Sequence, residues 1–470
     1  MRLRSSCYRG GAAALGLVAG AGVASAVFAF AGASSGVGST TRQSGATPAR
    51  LEVSHLPPLL RLTGERAELR YDIYCLRPDE EDVEGEAPCE AGGTVFVRAG
   101  SSGPFRAVPL ELDPGASEGR YVARVPADIA ASPEGFSYYA LLEENATGTA
   151  VTVPAGGSSA PQRSLRLDRP ITVALNSHRF GATRPATARV IQARWGEGPD
   201  EVGLEPGPSS QPIGGASFDV SSAGAVTLLD EAHRRLLQWR PGSGRPQRVP
   251  LAINGTIADL SVGEDGSVYV LETTSPDRGS PVLRHFAFDG RDMGHVRLRD
   301  RTSAQLRLGP EGPVALQYPS AQWMPIGRGG NELGPLAQAA GGKAGRPAAG
   351  GREVVVWHQV DEVRVAMVGA RGVAQAWRVT SATPLGEVQL VEPYGAGLVV
   401  VLRVYEEGRD EFEVLVLDRR GLVRRFSLDS ADWAETAPLS RFRLVGSSLY
   451  QLGSTAEGLF VDRYDLGVTR

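Results

Sequence analysis

Apolar positions along most of this chain come in runs of three to eight residues, broken by polar turns that carry Gly, Asn or Asp, and helical spacing is missing. That pattern predicts strands. Between residues 51 and 154 it predicts seven of them, at 51–53, 67–75, 94–98, 105–112, 120–125, 136–142 and 150–153. Seven short strands in about a hundred residues point to a β-sandwich. Further on, the pattern repeats. Residues 218–230 superimpose on 260–272 with a shift of 42, which puts Gly224 on Gly266, Val226 on Val268 and Asp230 on Glu272. Each copy reads as a short strand, a glycine turn, a second apolar strand and an acidic stop. A period of this length belongs to the blades of a β-propeller.

Outer hairpins of the same kind begin at 282–289, 363–369, 414–418 and 458–465, and inner hairpins at 306–316, 388–402 and 444–452; 353–357 adds another apolar strand. Counting gives six blades, the third poorly defined. The last lacks one strand at the end of the chain, and residues 188–195 are placed to supply it and close the ring. Residues 327–351, poor in apolar side chains and rich in Gly, Ala and Pro, read as a mobile loop.

The propeller stretch resembles a known repeat. Trp195 followed by Gly196, then Gly203, Phe218, Gly224, Leu228, Leu229 and Asp230, and then Arg234 and Arg235, is similar to the NHL-type propeller repeat. There an outer strand ends in Trp-Gly and the next blade's second strand stops at an Asp before an Asn-x-Arg turn; here His233 stands where Asn is usual. The resemblance is good over 189–272 and implies an NHL-type six-bladed β-propeller over about 186–470. Residues 135–143 are similar to the penultimate strand of an immunoglobulin or fibronectin type III module, so the sandwich before the propeller is expected to be immunoglobulin-like.

Composition adds the setting. Arg2, Arg4 and Arg9 precede an apolar run at 11–33 with small-x-small endings at 24–26, 29–31 and 31–33. This predicts a secretory signal peptide, and the run is also about long enough to serve as an uncleaved membrane anchor. Loss of the three arginines would move the formal charge from −4 to −7. Neither value suggests nucleic acid as a partner. Lys343 is the only lysine, and arginine with abundant Ala and Gly fits a GC-rich bacterial coding sequence. The expected organisation of this all-β chain is a leader or anchor at 1–33, a flexible tether at 34–50, the sandwich at 51–154, a linker at 155–170 and the propeller at 171–470.

Of the three cysteines, Cys7 precedes the apolar run outside any lipobox. Cys75 and Cys89 flank one loop of an exported domain and are expected to form a disulfide, the alternative being two free thiols. Between them lie Asp79, Glu80, Glu81, Asp82, Glu84 and Glu86. Lacking the Asp-x-Asp-x-Asp-Gly spacing of a calcium loop, they read as a solvated acidic loop. Asn145 and Asn254 head glycosylation-type tripeptides that in a bacterial chain mark turns.

No nucleophile elbow, zinc-protease helix motif or phosphate loop occurs, and the six histidines lack ligand spacing. Residues 427–433 are similar in outline to a sialidase Asp-box, but the Trp is one residue early and no second copy exists. Some six-bladed propellers are lactonases that hold one divalent cation with Glu, Asn and Asp side chains of inner strands. Asp219, Asp259, Glu264 and Glu392 lie on or near inner strands here, although turn and cap roles explain acidic residues at such places equally well. The six tryptophans fall about once per blade. No catalytic or cofactor-binding residue is assigned. The expected function is an extracytoplasmic, cell-envelope-associated protein that binds a protein or glycan through the propeller surface. The alternatives are a metal-dependent propeller enzyme such as a lactonase or lyase, with a single divalent cation in the channel, and a purely structural envelope protein.

Overall fold

The strands between Arg50 and Leu167 form two sheets facing each other across one core. In the first, the strands run Arg50–Ser54, Glu68–Leu76, Arg120–Arg124 and Glu111–Leu112, with Ala87–Pro88 beside Glu68–Leu76. In the second they run Leu60–Leu62, Gln162–Leu167, Phe136–Glu144, Ala91–Ala99 and Arg106–Pro109, with Ala150–Val153 also on Phe136–Glu144. The computed structural model describes residues 50–76, 87–88, 90–116, 119–207, 211–253, 257–273, 281–298, 303–317, 321–327, 337–338, 342–436 and 440–467. The leader, Cys7, the acidic loop, Cys89 and Asn254 lie outside them. Among the described residues no helix is long and apolar enough to cross a membrane.

Leu69, Tyr71 and Ile73 of one sheet meet Val95, Val97, Tyr138, Ala140 and Leu142 of the other, each set spaced by two as a sandwich core requires. Within this core His55 is fully enclosed. Its Nδ1–H donates to the Arg70 carbonyl at 2.6 Å, its Nε2 lies 2.8 Å from the Tyr138 hydroxyl, and its ring stacks on Tyr71 at 4.3 Å.

Two strands of the second sheet were not expected. Leu60–Leu62 and Gln162–Leu167 pair in parallel, and the latter falls in the segment expected to be a linker, so the sandwich extends to Leu167. Its short alternation was masked by the Gly- and Ser-rich residues before it. These two strands also join the sandwich to the remainder of the chain. Leu60, Leu165 and Leu167 share a core with Val355, Ala366 and Val368. Arg364 donates to the Leu60 carbonyl at 2.9 Å and to Glu65 at 2.6 Å, with its guanidinium 4.2 Å above the Trp357 ring.

Among the described residues six more sheets come after the sandwich, each ordered from an inner strand outward. The inner strands are Ser217–Val220, Ile257–Val262, Ser303–Gly309, Arg346–Ala348, Leu385–Tyr394 and Phe442–Val445. Each sheet neighbours the next near its inner edge, and Phe442–Val445 returns to Ser217–Val220, so the sheets close a ring. The architecture is a β-propeller. In the first two sheets the second strands, Val226–Asp230 and Val268–Glu272, are buried at every position, because neighbouring sheets cover both faces. Continuous apolar runs replace alternation for that reason. Gly224 and Gly266 hold φ of 80° and 79°, equivalent turns that a side chain would strain.

As expected from the missing last strand, Ala188–Arg194 pairs antiparallel with Gly458–Asp465 and completes the final sheet. Ahead of it, Ile171–Ala174 adds a parallel fifth strand outside Gly372–Thr380. The mobile loop expected over 327–351 needs correction. Ala337–Gln338 pairs with Ile326 and Gly327, Lys343 exchanges backbone hydrogen bonds with Trp323, and Arg346–Ala348 is an inner strand. Residues 328–336 and 339–341 lie outside the described residues. Its polar composition misled because an inner strand can place polar side chains toward the axis of the ring.

His55 generates a prediction about acid stability. Burial pushes its pKa down to about 4, against the hydrogen bond to the Arg70 carbonyl, while an unfolded histidine titrates near 6.5. Between these values the unfolded chain binds the extra proton, so stability falls as pH drops from 6.5 to 4. The full loss is roughly 3 kcal/mol. Denaturant titrations across this range are expected to show it, and His55→Gln to remove that part of the slope while lowering stability at neutral pH. An unchanged slope in the variant would assign the acid sensitivity elsewhere.

Candidate functional site

Each of the six inner strands contributes a charged side chain to ion pairs at the centre of the ring: Asp219, Asp259, Arg307 and Arg443 form one linked cluster, and Arg346 and Glu392 a separate pair. Charges this poorly hydrated persist only when paired and hydrogen-bonded. Asp259 is fully buried and is the hub. One of its oxygens accepts from Ser217 Oγ at 2.6 Å, Ser440 Oγ at 2.8 Å, its neighbour's amide Leu260 N at 2.9 Å and Arg443 Nη2 at 3.2 Å. The other accepts from Leu306 N at 2.8 Å and Arg307 Nη1 at 3.1 Å. Asp219 accepts from Val220 N and Val262 N and lies 3.4 Å from Arg443 Nε. Across the ring Arg346 donates to Glu392 at 2.6 Å and to the Val391 carbonyl at 2.9 Å.

Burial governs the protonation of this network. It raises the Asp219 carboxyl, against the pull of Arg443 and the amides of Val262 and Val220. It lowers Arg307 to about 10, aided by the nearby charge of Arg443 and opposed by Asp259 and Glu392. Arg307 stays cationic at neutral pH.

Three of the four acids read as candidate channel ligands, Asp219, Asp259 and Glu392, are therefore held as partners of arginine, Asp219 and Asp259 in one cluster and Glu392 apart from them with Arg346. Glu264 is not among them; it sits exposed in the turn after Ile257–Val262. Among the described residues no three His, Cys, Asp or Glu side chains gather as a metal site. Sequence reasoning passed over Arg307, Arg346 and Arg443. The available signal was an arginine between apolar neighbours on an inner strand, as in Leu306, Arg307, Leu308 and in Phe442, Arg443, Leu444.

The residues of the repeat signature lie nearer the rim of the ring. Asp230 is fully buried and accepts from Gly203 N at 3.1 Å, His233 Nδ1 at 2.8 Å and Arg235 Nε at 2.8 Å. His233 fills the place of the usual Asn and also meets Glu197 at 2.8 Å. Partial burial opposes its charge, but the hydrogen bonds to Asp230 and Glu197 outweigh this and raise its pKa. His178 lies between Glu411, at 2.8 Å, and Glu413, and pins the segment before Ala188–Arg194 to the fifth propeller sheet.

The tryptophans divide by role. Trp377 and Trp239 are buried, Trp377 donating to the Asp418 carbonyl at 2.9 Å, and Trp357 lies under Arg364. Trp195 and Trp433 meet each other instead, with centroids 6.1 Å apart and planes inclined by 31°; Trp433 is 41% exposed.

Asp259→Ala is expected to lower the stability of the protein by about 3–5 kcal/mol, since it strands two buried guanidiniums and two hydroxyls. Glu264→Ala is expected to stay within about 0.5 kcal/mol of the parent. Equilibrium denaturation of both variants checks the contrast, and equal effects would remove Asp259 from its place as hub.

No protein-family model matches the chain, and no curated protein matches it in sequence. Solved structures that resemble it include a catalytically inactive virginiamycin B lyase from Staphylococcus aureus, at 11% identity over 88% of this chain and 99% of that one, with a TM-score of 0.33. A calcium-binding regucalcin from Agrobacterium tumefaciens is 11% identical over 53% of this chain and 90% of its own, with a TM-score of 0.34. Kuenenia stuttgartiensis hydrazine synthase is 13% identical over 54% and 87%, with a TM-score of 0.34.

Proposed function

We propose that this chain is an extracytoplasmic, cell-envelope-associated binding protein: an immunoglobulin-like sandwich followed by a six-bladed, NHL-like propeller that recognises a protein or glycan through its surface loops. One observation carries the reading. Asp219, Asp259, Arg307, Arg346, Glu392 and Arg443, one from each inner strand, are paired among themselves, with Asp259 accepting from two arginines and two serines. A ligand in the channel would have to replace these bonds one for one, and would gain little over what the protein already makes. Ligand contact then falls to the connections between sheets, which a rigid ring holds in place.

Export and envelope retention rest on the apolar run at 11–33 and the tether after it. The Cys75–Cys89 bridge belongs to the same reading: Cys75 is buried near the end of Glu68–Leu76, and Ala87 returns opposite it, two residues before Cys89.

Native mass spectrometry of the secreted protein, with and without a chelator, tests the proposal together with retention on purified cell envelope. A metal-free mass two hydrogens short of the reduced chain, with retention on envelope, is the expected result. A divalent ion removed by the chelator, together with hydrolysis of a lactone lost on its removal, would overturn it in favour of a propeller enzyme.

A further inference from the structure

We infer that Trp195 and Trp433 form a saccharide subsite for a neutral or amino sugar; this deepens the binding reading above and rests on it. The two rings come from separate connections of the same kind. Residues 195–216 lead from the outer strand Ala188–Arg194 to the inner strand Ser217–Val220, and residues 430–441 lead from the outer strand Gly421–Asp429 to the inner strand Phe442–Val445. Equivalent connections lie on the same face of a ring, and these two leave neighbouring sheets.

The shelf is rigid. Trp195 donates its indole N–H to the Thr455 carbonyl at 2.8 Å, and its ring lies so close over Gly214 that a Cβ there would meet Cη2 at 2.8 Å. Around Trp433, a parallel bridge joins Asp432 to Ser454, and Ala434 N donates to Ser454 Oγ at 2.8 Å. A further bridge between Ile213 and Glu435 ties the two connections together. Trp433 leans on Trp195 and keeps 41% of its surface exposed, although several buried sites elsewhere take indole rings. An exposed indole beside a second one that its own hydrogen bond holds in place offers an apolar aromatic face, which suits the C–H face of a pyranose ring.

Charge narrows the class. Residues 195–216 carry Glu197, Asp200, Glu201 and Glu205 and no lysine or arginine, and residues 430–441 carry Asp432 and Glu435 against Arg441; with His233 on Glu197 and Arg245 3.5 Å from Asp200, the two connections keep an acidic excess. Carboxylates accept hydrogen bonds from sugar hydroxyls and attract an amino group, and they repel uronic, sulfated or phosphorylated glycans. The sugar that fits this shelf is uncharged or cationic.

Calorimetric titration of the full secreted chain with cellohexaose, laminarihexaose, chitohexaose and the hexamer of glucosamine tests the assignment, with heparin and a hexalysine peptide as controls. Binding of at least one of the four sugars but not of heparin is expected, weakened roughly tenfold or more in Trp433→Ala and less in Trp433→Phe. Phe288→Ala, which removes an exposed aromatic elsewhere, is expected to leave binding unchanged. Failure of all four sugars, sugar binding that survives Trp433→Ala, or hexalysine binding that depends on Trp433 would each overturn the sugar assignment. Envelope retention separates this from the parent reading. Retention that persists in Trp433→Ala would leave the binding protein standing and remove only this subsite, whereas loss of retention in the parent protein itself would remove both.

Discussion

Everything in the propeller depends on the pairing of Ala188–Arg194 with Gly458–Asp465, strands separated by about 270 residues of chain. Until it forms, the edge of Gly458–Asp465 stands open, and the last sheet has no outer strand. Arg189 secures it twice, gripping Asp462 through two hydrogen bonds of 2.8 and 3.0 Å and lying 3.9 Å above the Phe460 ring. Bringing distant segments together is less costly than it looks, since closure entropy grows only with the logarithm of the loop. The segment before Ala188 is already anchored, through Ile171–Ala174 on the fourth propeller sheet and His178 on the fifth. Three successive sheets thus hold the strand that closes the ring.

Closure in turn forces the central network. Six inner strands, far apart in sequence, converge on one axis, and each brings a charged side chain to it. Had the signs been mostly alike, the ring would carry an uncompensated buried charge and resist closing. Pairing each acid with an arginine removes that obstacle. It also makes closure specific, because Asp259 is satisfied only when strands of the first, third and sixth sheets all arrive at it. Ion pairs nearer the rim act differently. Asp230 with Arg235, and Glu272 with Arg284 at 2.7 Å, join adjacent strands of one sheet and fix its local turn.

How much of this was legible in the sequence depends on the range of each interaction. The hairpins at 218–230 and 260–272 were legible because their period, turn glycines and acidic stops are local, and the closing strand was legible by counting strands to a full blade. Leu60–Leu62 and Arg346–Ala348 are three residues long, below the length at which any periodicity shows; their partners, not their patterns, make them strands. The candidate acids were found by their place on inner strands, yet their role was hidden. Whether a carboxylate meets a metal or a guanidinium depends on Arg307, Arg346 and Arg443, which come from other sheets. The Trp195 and Trp433 pair was hidden for the same reason, being 238 positions apart in the chain.

The junction between sandwich and propeller bears on where a partner can be held. Arg364, on Glu362–Gly369 of the propeller, binds both the Leu60 carbonyl and Glu65 of the sandwich, and Glu362 holds Arg364 and Arg378 in turn. Only Asp168, Arg169 and Pro170 separate Gln162–Leu167 from Ile171–Ala174, so one continuous stretch of chain is hydrogen-bonded into both bodies. A shared apolar core lies beneath these contacts. Interfaces of this kind do not leave two domains free to close on a ligand between them. On the proposed binding reading, with ion pairs at the centre of the ring and the junction fixed, the surfaces left to respond to a partner are the connections between sheets, where glycines and backbone bridges hold two indoles together.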